Sequence, residues 1–120
     1  MNRKGFTLVE VLIVVIIIGI LAAIGIPQFA DSIEKAKGGE ARAGLGHIQT
    51  AEKIYYAENE SYTDSLPQLD ISLTQRYWAF SITTATGLYT ATAARSGGTR
   101  DGNTITMNEA GTITGTWEFI

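Results

Sequence analysis

Gly5-Phe6-Thr7-Leu8-Val9-Glu10-Val11-Leu12-Ile13-Val14-Val15 decides how this chain is read, because it sets one carboxylate inside an otherwise apolar stretch. Upstream, the only charged residues are Arg3 and Lys4. Downstream, all sixteen residues from Val11 to Ile26 are apolar or glycine, and the next Lys or Arg is Lys35. Phe6 to Ile26 makes 21 residues. At about 1.5 Å per residue, a helix of that length spans roughly 30 Å, the thickness of a bilayer core. The basic flank predicts an N-terminus on the cytoplasmic side and a C-terminal domain outside. The β-branched run Ile13 to Ile18 suits a helix surrounded by lipid or by other apolar helices.

Three kinds of segment share this outline: an uncut membrane anchor, a secretory signal cut after a small-x-small site such as Ala23-Ile24-Gly25, and a precursor cut between Gly5 and Phe6. Glu10 separates them. A carboxylate near the bilayer centre costs on the order of 2.5–3.5 kcal/mol, and neither an anchor nor a signal peptide gains from it. Cutting before Phe6 supplies a partner, since the new α-amino group titrates near about 7.7–8.0 and is largely cationic. An incoming subunit that offered this ammonium to Glu10 of a neighbour would neutralise both charges in a low-dielectric setting. Leaving either one unpaired is the expensive outcome, so the contact selects correct docking more than it adds net stability.

The string Gly5 to Val15, continued by Gly19, Ile20, Leu21, Ala22, Ala23, Ile24, Ile26 and Pro27, strongly resembles the class III signal of type IV pilins and pseudopilins. The resemblance implies cleavage after Gly5 by a prepilin peptidase and N-methylation of Phe6. It also implies an assembly charge pair between Glu10 and the Phe6 amine, and homo-oligomerisation into a helical filament on an inner-membrane assembly platform. The expected path runs from the cytoplasmic membrane, N-terminus inside, to a cell-surface pilus. Gly19, Gly25 and Pro27 mark a segment expected to kink or melt. Proline removes a helix hydrogen bond and disfavours αR at Ile26, and glycine lowers helix propensity. Small residues also allow close helix approach in membranes.

The expected organisation is a leader over 1–5, an apolar helix over 6–27, its amphipathic continuation over 28–59, and a loop with a β-sheet head over 60–120. In the continuation, Ala41, Gly44, Ile48, Ala51 and Tyr55 recur at helical spacing, flanked by Leu45 and Ile54. Gly38-Gly39 is a predicted weak point. Such a helix exceeds what a small head can bury, so half of it must meet lipid or copies of itself.

Beyond the Asn59 to Leu73 loop, four period-two patterns follow: Trp78/Phe80/Ile82, Tyr89/Ala91/Ala93, Ile105/Met107 and Ile113/Gly115/Trp117/Phe119. Thr86-Gly87, Ser96 to Asn103 and Asn108 to Gly111 separate them. The fold class is therefore α+β, a long N-terminal helix packed on a four-stranded antiparallel meander with a wet threonine face. This matches the ladle fold that the resemblance implies.

Little else in the sequence points to chemistry. There is no cysteine, and the single histidine, His47, has no companion for a metal or a triad, so no catalytic, cofactor or metal site is expected. Asp101-Gly102-Asn103 reads as a tight turn rather than a calcium loop. The eleven aromatic residues fall mostly at core positions. The net charge of −3 becomes −5 once Arg3 and Lys4 are removed, and no basic run points to nucleic acid. The leading expectation is a structural pilus subunit serving adhesion, twitching or DNA uptake. The alternatives are a pseudopilin of a type II secretion system and, from another class, a small exported binding domain.

Overall fold

A computed structural model describes Gly5 and residues 7–120. The predicted leader residues 1–4 and the predicted methylation site Phe6 lie outside the described residues. The chain forms two compact units, residues 1–34 and 35–120.

One helix, α1, runs Leu8–Asn59. It continues as helix through Pro27, so the segment is not melted in this single chain. It also continues through Gly38-Gly39, which is explained by packing: a Cβ on Gly38 would lie 3.0 Å from Trp117 Nε1. The helix stops at Asn59, where Glu60 adopts φ 59° and its N–H reaches the Tyr56 carbonyl at 2.7 Å. That is the left-handed cap geometry usually given to glycine.

In the second unit the helix buries Gly38, Ala41, Gly44, Leu45, Ile48, Ala51 and Glu52. Two details differ from the helical-face expectation. Leu45 sits at the centre of the buried stripe, whereas Ile54 is 57% exposed. The stripe follows the i, i+3, i+4, i+7 pattern from Ala41, and Ile54 falls off it by about a third of a turn.

The sheet is a four-stranded antiparallel meander of β1 (Trp78–Ala85), β2 (Leu88–Arg95), β3 (Thr104–Asn108) and β4 (Ile113–Gly115), in spatial order β1-β2-β3-β4. Register aligns Phe80, Ala93, Ile105 and Gly115 in one row, and Ile82, Ala91, Met107 and Ile113 in the next. Alternation puts the first three members of each row into the core. Ala91 and Ala93 are small, which leaves room for the helix, while Phe80 projects towards Gly44, where no Cβ stands in its way.

The outward rows carry Ser81, Thr92, Thr106 and Thr114, with Thr83 facing Thr90. Thr106 Oγ1 and Thr114 Oγ1 lie 2.6 Å apart. The fourth strand is shorter than the sequence pattern suggested. Gly115 takes φ 140°, and a Cβ there would come within 2.8 Å of the Thr104 carbonyl carbon, so the ladder ends in a backbone approach that only glycine allows. Trp117 nevertheless stays tied to β3 through its N–H to Thr104 O at 3.0 Å, and its ring is buried.

The core centres on two indoles. Trp78 is fully buried and donates from Nε1 to the Lys37 carbonyl at 2.7 Å. The Trp117 ring meets it edge-on at 4.9 Å and the Phe119 ring at 5.4 Å. Tyr62 bridges Tyr56 and Tyr89, at 4.8 and 4.7 Å, where the loop meets the sheet.

Candidate assembly site

The described residues of the first unit present an exposed apolar cylinder. From Leu8 to Ile26 every large apolar side chain is about half or more exposed, and Phe29 is 69% exposed. The helix is long and apolar enough to cross a membrane, with mean hydropathy 3.1 in its best window and none of that window buried. A Cβ at Gly19 or Gly25 would meet nothing within 4 Å, so neither glycine is explained by packing inside one chain.

Glu10 sits at the start of this cylinder in a defined local geometry. Thr7 caps the helix: its Oγ1 accepts the Glu10 N–H at 3.1 Å, and its carbonyl accepts the Val11 N–H at 3.2 Å. Reciprocally, Glu10 Oε2 accepts the Thr7 N–H at 3.4 Å. This is a capping box, Thr-x-x-Glu, in which side chains satisfy amides that the first turn leaves unpaired. The carboxylate also lies at the positive end of the helix dipole. Its cost in apolar surroundings is thus partly offset before any neighbour arrives, and its direction is fixed near the helix start. The Thr7-to-Glu10 spacing carries this signal in the sequence. The other half of the expected charge pair, Phe6, lies outside the described residues.

The second unit contains one buried carboxylate. Glu52 is fully buried; its Oε1 accepts the Thr63 N–H at 3.2 Å, while Oε2 has no hydrogen-bond partner. Burial raises its pKa above the ordinary 4.5, the Thr63 N–H opposes the rise, and Asp64 adds to it. The Tyr89 hydroxyl is likewise buried without a partner, and burial followed by the charge of Glu52 pushes it up to about 12. Through the Thr63 N–H, Glu52 ties the loop after α1 back to the helix. The pair shows no catalytic arrangement, and no cluster of three potential metal ligands occurs among the described residues. His47 is exposed on the helix. Asp101 Oδ1 accepts the Gly97 N–H at 2.6 Å, as expected of a turn.

Comparison with known families matches both parts of the chain. The prokaryotic N-terminal methylation motif covers residues 1–26. The family described as type IV minor pilin ComP, DNA uptake sequence receptor, covers residues 27–107. The chain belongs to the type IV pilin family.

Among similar proteins, the type IV wide pilus major component PilA4 of Thermus thermophilus is 38% identical over 102 residues, covering 82% of this pilin and 78% of that protein. The type IV major pilin PilA of Myxococcus xanthus is 48% identical over 63 residues, 52% of this chain and 29% of that one. Type II secretion system core protein G of Pseudomonas aeruginosa is 35% identical over 69 residues, 58% of this chain and 49% of that one. The pilin therefore spans half or less of the length of several curated relatives it matches. A crystal structure of the non-core minor pilin PilV of Neisseria meningitidis superposes with a TM-score of 0.57 at 22% identity, over 70% of this chain and 87% of that one, and supports the fold.

Proposed function

We propose that this pilin is a structural subunit of a type IV pilus, cut after Gly5 by a prepilin peptidase and methylated on Phe6. It is then drawn from the inner membrane by an assembly platform into a surface filament. The observation that carries this reading is the apolar helix of the first unit, its large side chains about half or more exposed, with a carboxylate oriented at its start. In the membrane its surface is covered by lipid, and in the filament by other copies of itself. The Phe6 ammonium of one subunit neutralises Glu10 of another and sets their register. Gly19, Gly25 and Pro27 supply a stretch that extends on assembly, since three weak helix formers lie within nine residues of one another.

Two related roles have specific support. The likeness to a type II secretion core protein favours a pseudopilin in a short periplasmic filament. The match of residues 27–107 to a family described as a DNA uptake sequence receptor favours DNA uptake among the services of the pilus. The net charge of −5 after processing weighs against general nucleic-acid binding.

Peptide and intact-mass spectrometry on sheared surface material and on membranes tests the proposal. A chain beginning with methylated Phe6 in the sheared fraction is the expected result. The same species confined to membranes favours the pseudopilin, and a chain beginning at Met1 or near Ile26 refutes both. Glu10→Ala is expected to leave processing and membrane insertion intact while filament yield collapses. Normal yields from that variant would remove the role assigned to Glu10.

A further inference from the structure

The charges of the second unit are segregated. Of its seven basic residues, six gather where Lys35–Arg42 of α1 meets the start of β1, the end of β2 and the last residues of the chain. Lys37, Arg76 and Arg95 stand 4.7, 5.3 and 5.5 Å from the Tyr77 ring centre, and Lys35 and Arg100 stand 5.4 and 4.8 Å from that of Phe119. Arg42 donates to the Phe119 carbonyl at 3.4 Å. Three acids share this end. Glu40 accepts the Arg76 and Tyr77 amides, Glu118 pairs with Arg100, and Asp101 caps Gly97, leaving a net +3 over residues 35–120 at this end, or +2 with Glu34, which precedes Lys35 on the helix.

The opposite end, around the last three turns of the helix, presents Glu58, Glu60, Asp64, Asp70 and Glu109 against Lys53 alone, a net −4, Glu52 being buried. From Lys37 to Glu58 is 21 residues of helix, roughly 30 Å, several Debye lengths at physiological salt. On the flank of the acidic end, Glu58 and Asp70 border a groove of ≈440 Å³ that is also lined by Ile54, Tyr55 and Ile71.

We infer that these two ends are complementary halves of one contact between copies of this chain, the basic aromatic end of one head seating against the acidic groove of another. The inference rests on the filament reading above. A helical assembly repeats a single operator, so every contact in it is heterologous: one patch meets a different patch, never itself. A head with like charges spread evenly would repel its neighbours, whereas a head with separated poles attracts them in one relative orientation. The two surfaces also match in kind. The groove offers carboxylates beside apolar side chains, and the basic end offers Lys and Arg beside Tyr77, Phe119 and the half-exposed Ile120. Arg and aromatic side chains together are typical anchors of protein interfaces.

Charge reversal in full-length protein, expressed in a piliated host lacking its own major pilin, tests this. The basic-end variant is Lys35→Glu with Arg76→Glu, the acidic-end variant is Glu58→Lys with Asp70→Lys, and the swap carries all four. All four positions are exposed, so folding is checked simply by tryptophan fluorescence. Each half-variant is expected to lower sheared filament yield about tenfold, with the membrane pool of processed subunit undiminished, and the swap to restore yield to within about twofold of wild type. Half-variants that assemble like wild type overturn the inference while leaving the filament reading in place. A swap no better than its halves also overturns it. Wild-type chain that is processed but never sheared off as filaments defeats the filament reading itself, and the inference with it.

Discussion

Gly44 and Gly46 stand two residues apart on the same helix, yet replacing each by alanine has opposite predicted effects. A Cβ on Gly46 would meet nothing within 4 Å, and the residue is only half-buried. There Ala removes the helix penalty of glycine, so Gly46→Ala should stabilise by up to about 1 kcal/mol. A Cβ on Gly44 would come within 2.5 Å of Phe80 Cε1 and 3.0 Å of Cε2, far inside van der Waals contact. Helix and ring must part by about an ångström in a core whose neighbours, Ala41, Leu45 and Ala93, are fully buried. Overpacking of that kind costs about 1–3 kcal/mol, which offsets or exceeds the same helix gain of about 1 kcal/mol and leaves Gly44→Ala destabilising by up to about 2 kcal/mol. In a domain of this size that lowers the melting temperature by about 4–8 °C per kcal/mol. The assay is thermal unfolding of the full chain in detergent, followed by fluorescence of the two buried tryptophans. Adding Phe80→Leu should recover part of the loss in Gly44→Ala, because it withdraws the atoms that clash. A Gly44→Ala variant as stable as Gly46→Ala would refute the close approach of helix and sheet described above.

The buried carboxylate gives a pH signature. Because its pKa is raised in the fold, the unfolded chain ionises Glu52 first. Stability therefore falls as pH rises from about 4.5, by at most about 1.4 kcal/mol per pH unit from this group, and levels off above its folded pKa. Glu52→Gln keeps an acceptor for the Thr63 N–H and should lack that fall, so the two stability curves should converge at acid pH in denaturant titrations. Curves that stay parallel from pH 4 to 8 would show that Glu52 ionises normally. Trp117→Ala should cost about 3–5 kcal/mol by equilibrium unfolding, since its ring fills the space between Gly38 and Trp78. Glu118→Gln breaks the 2.8 Å pair with Arg100, but the carboxylate is 63% exposed, so a change above about 1 kcal/mol would contradict its surface character.

The sequence made some of these features plain and hid others for physical reasons. Alternation in β1, β2 and β3 was legible because each strand buries one face only, so Trp78, Phe80 and Ile82 announce themselves. The end of β4 was not, because Trp117 continues the pattern of burial after the ladder has stopped at Gly115. Glu52 lies four residues beyond Ile48 on the buried stripe, but counting apolar residues alone passes over it. Ile54 misled in the reverse direction, as an apolar side chain that faces out. At the helix start, the charge of Glu10 was readable and its capping partner Thr7 was readable by spacing. The basic end could not be read at all: residues 35, 37, 42, 76, 95 and 100 form no run, and only the meander brings them together.

Trp117 has one more consequence, which concerns time. The first three strands follow one another in the chain and pair with their sequence neighbours, so they can form in chain order. The indole that shields Trp78 and covers Gly38 follows all four strands in the chain. A chain stopped short of Trp117 would leave Trp78 and the helix flank wet, and would stand out to proteases as unfinished before it could enter a polymer.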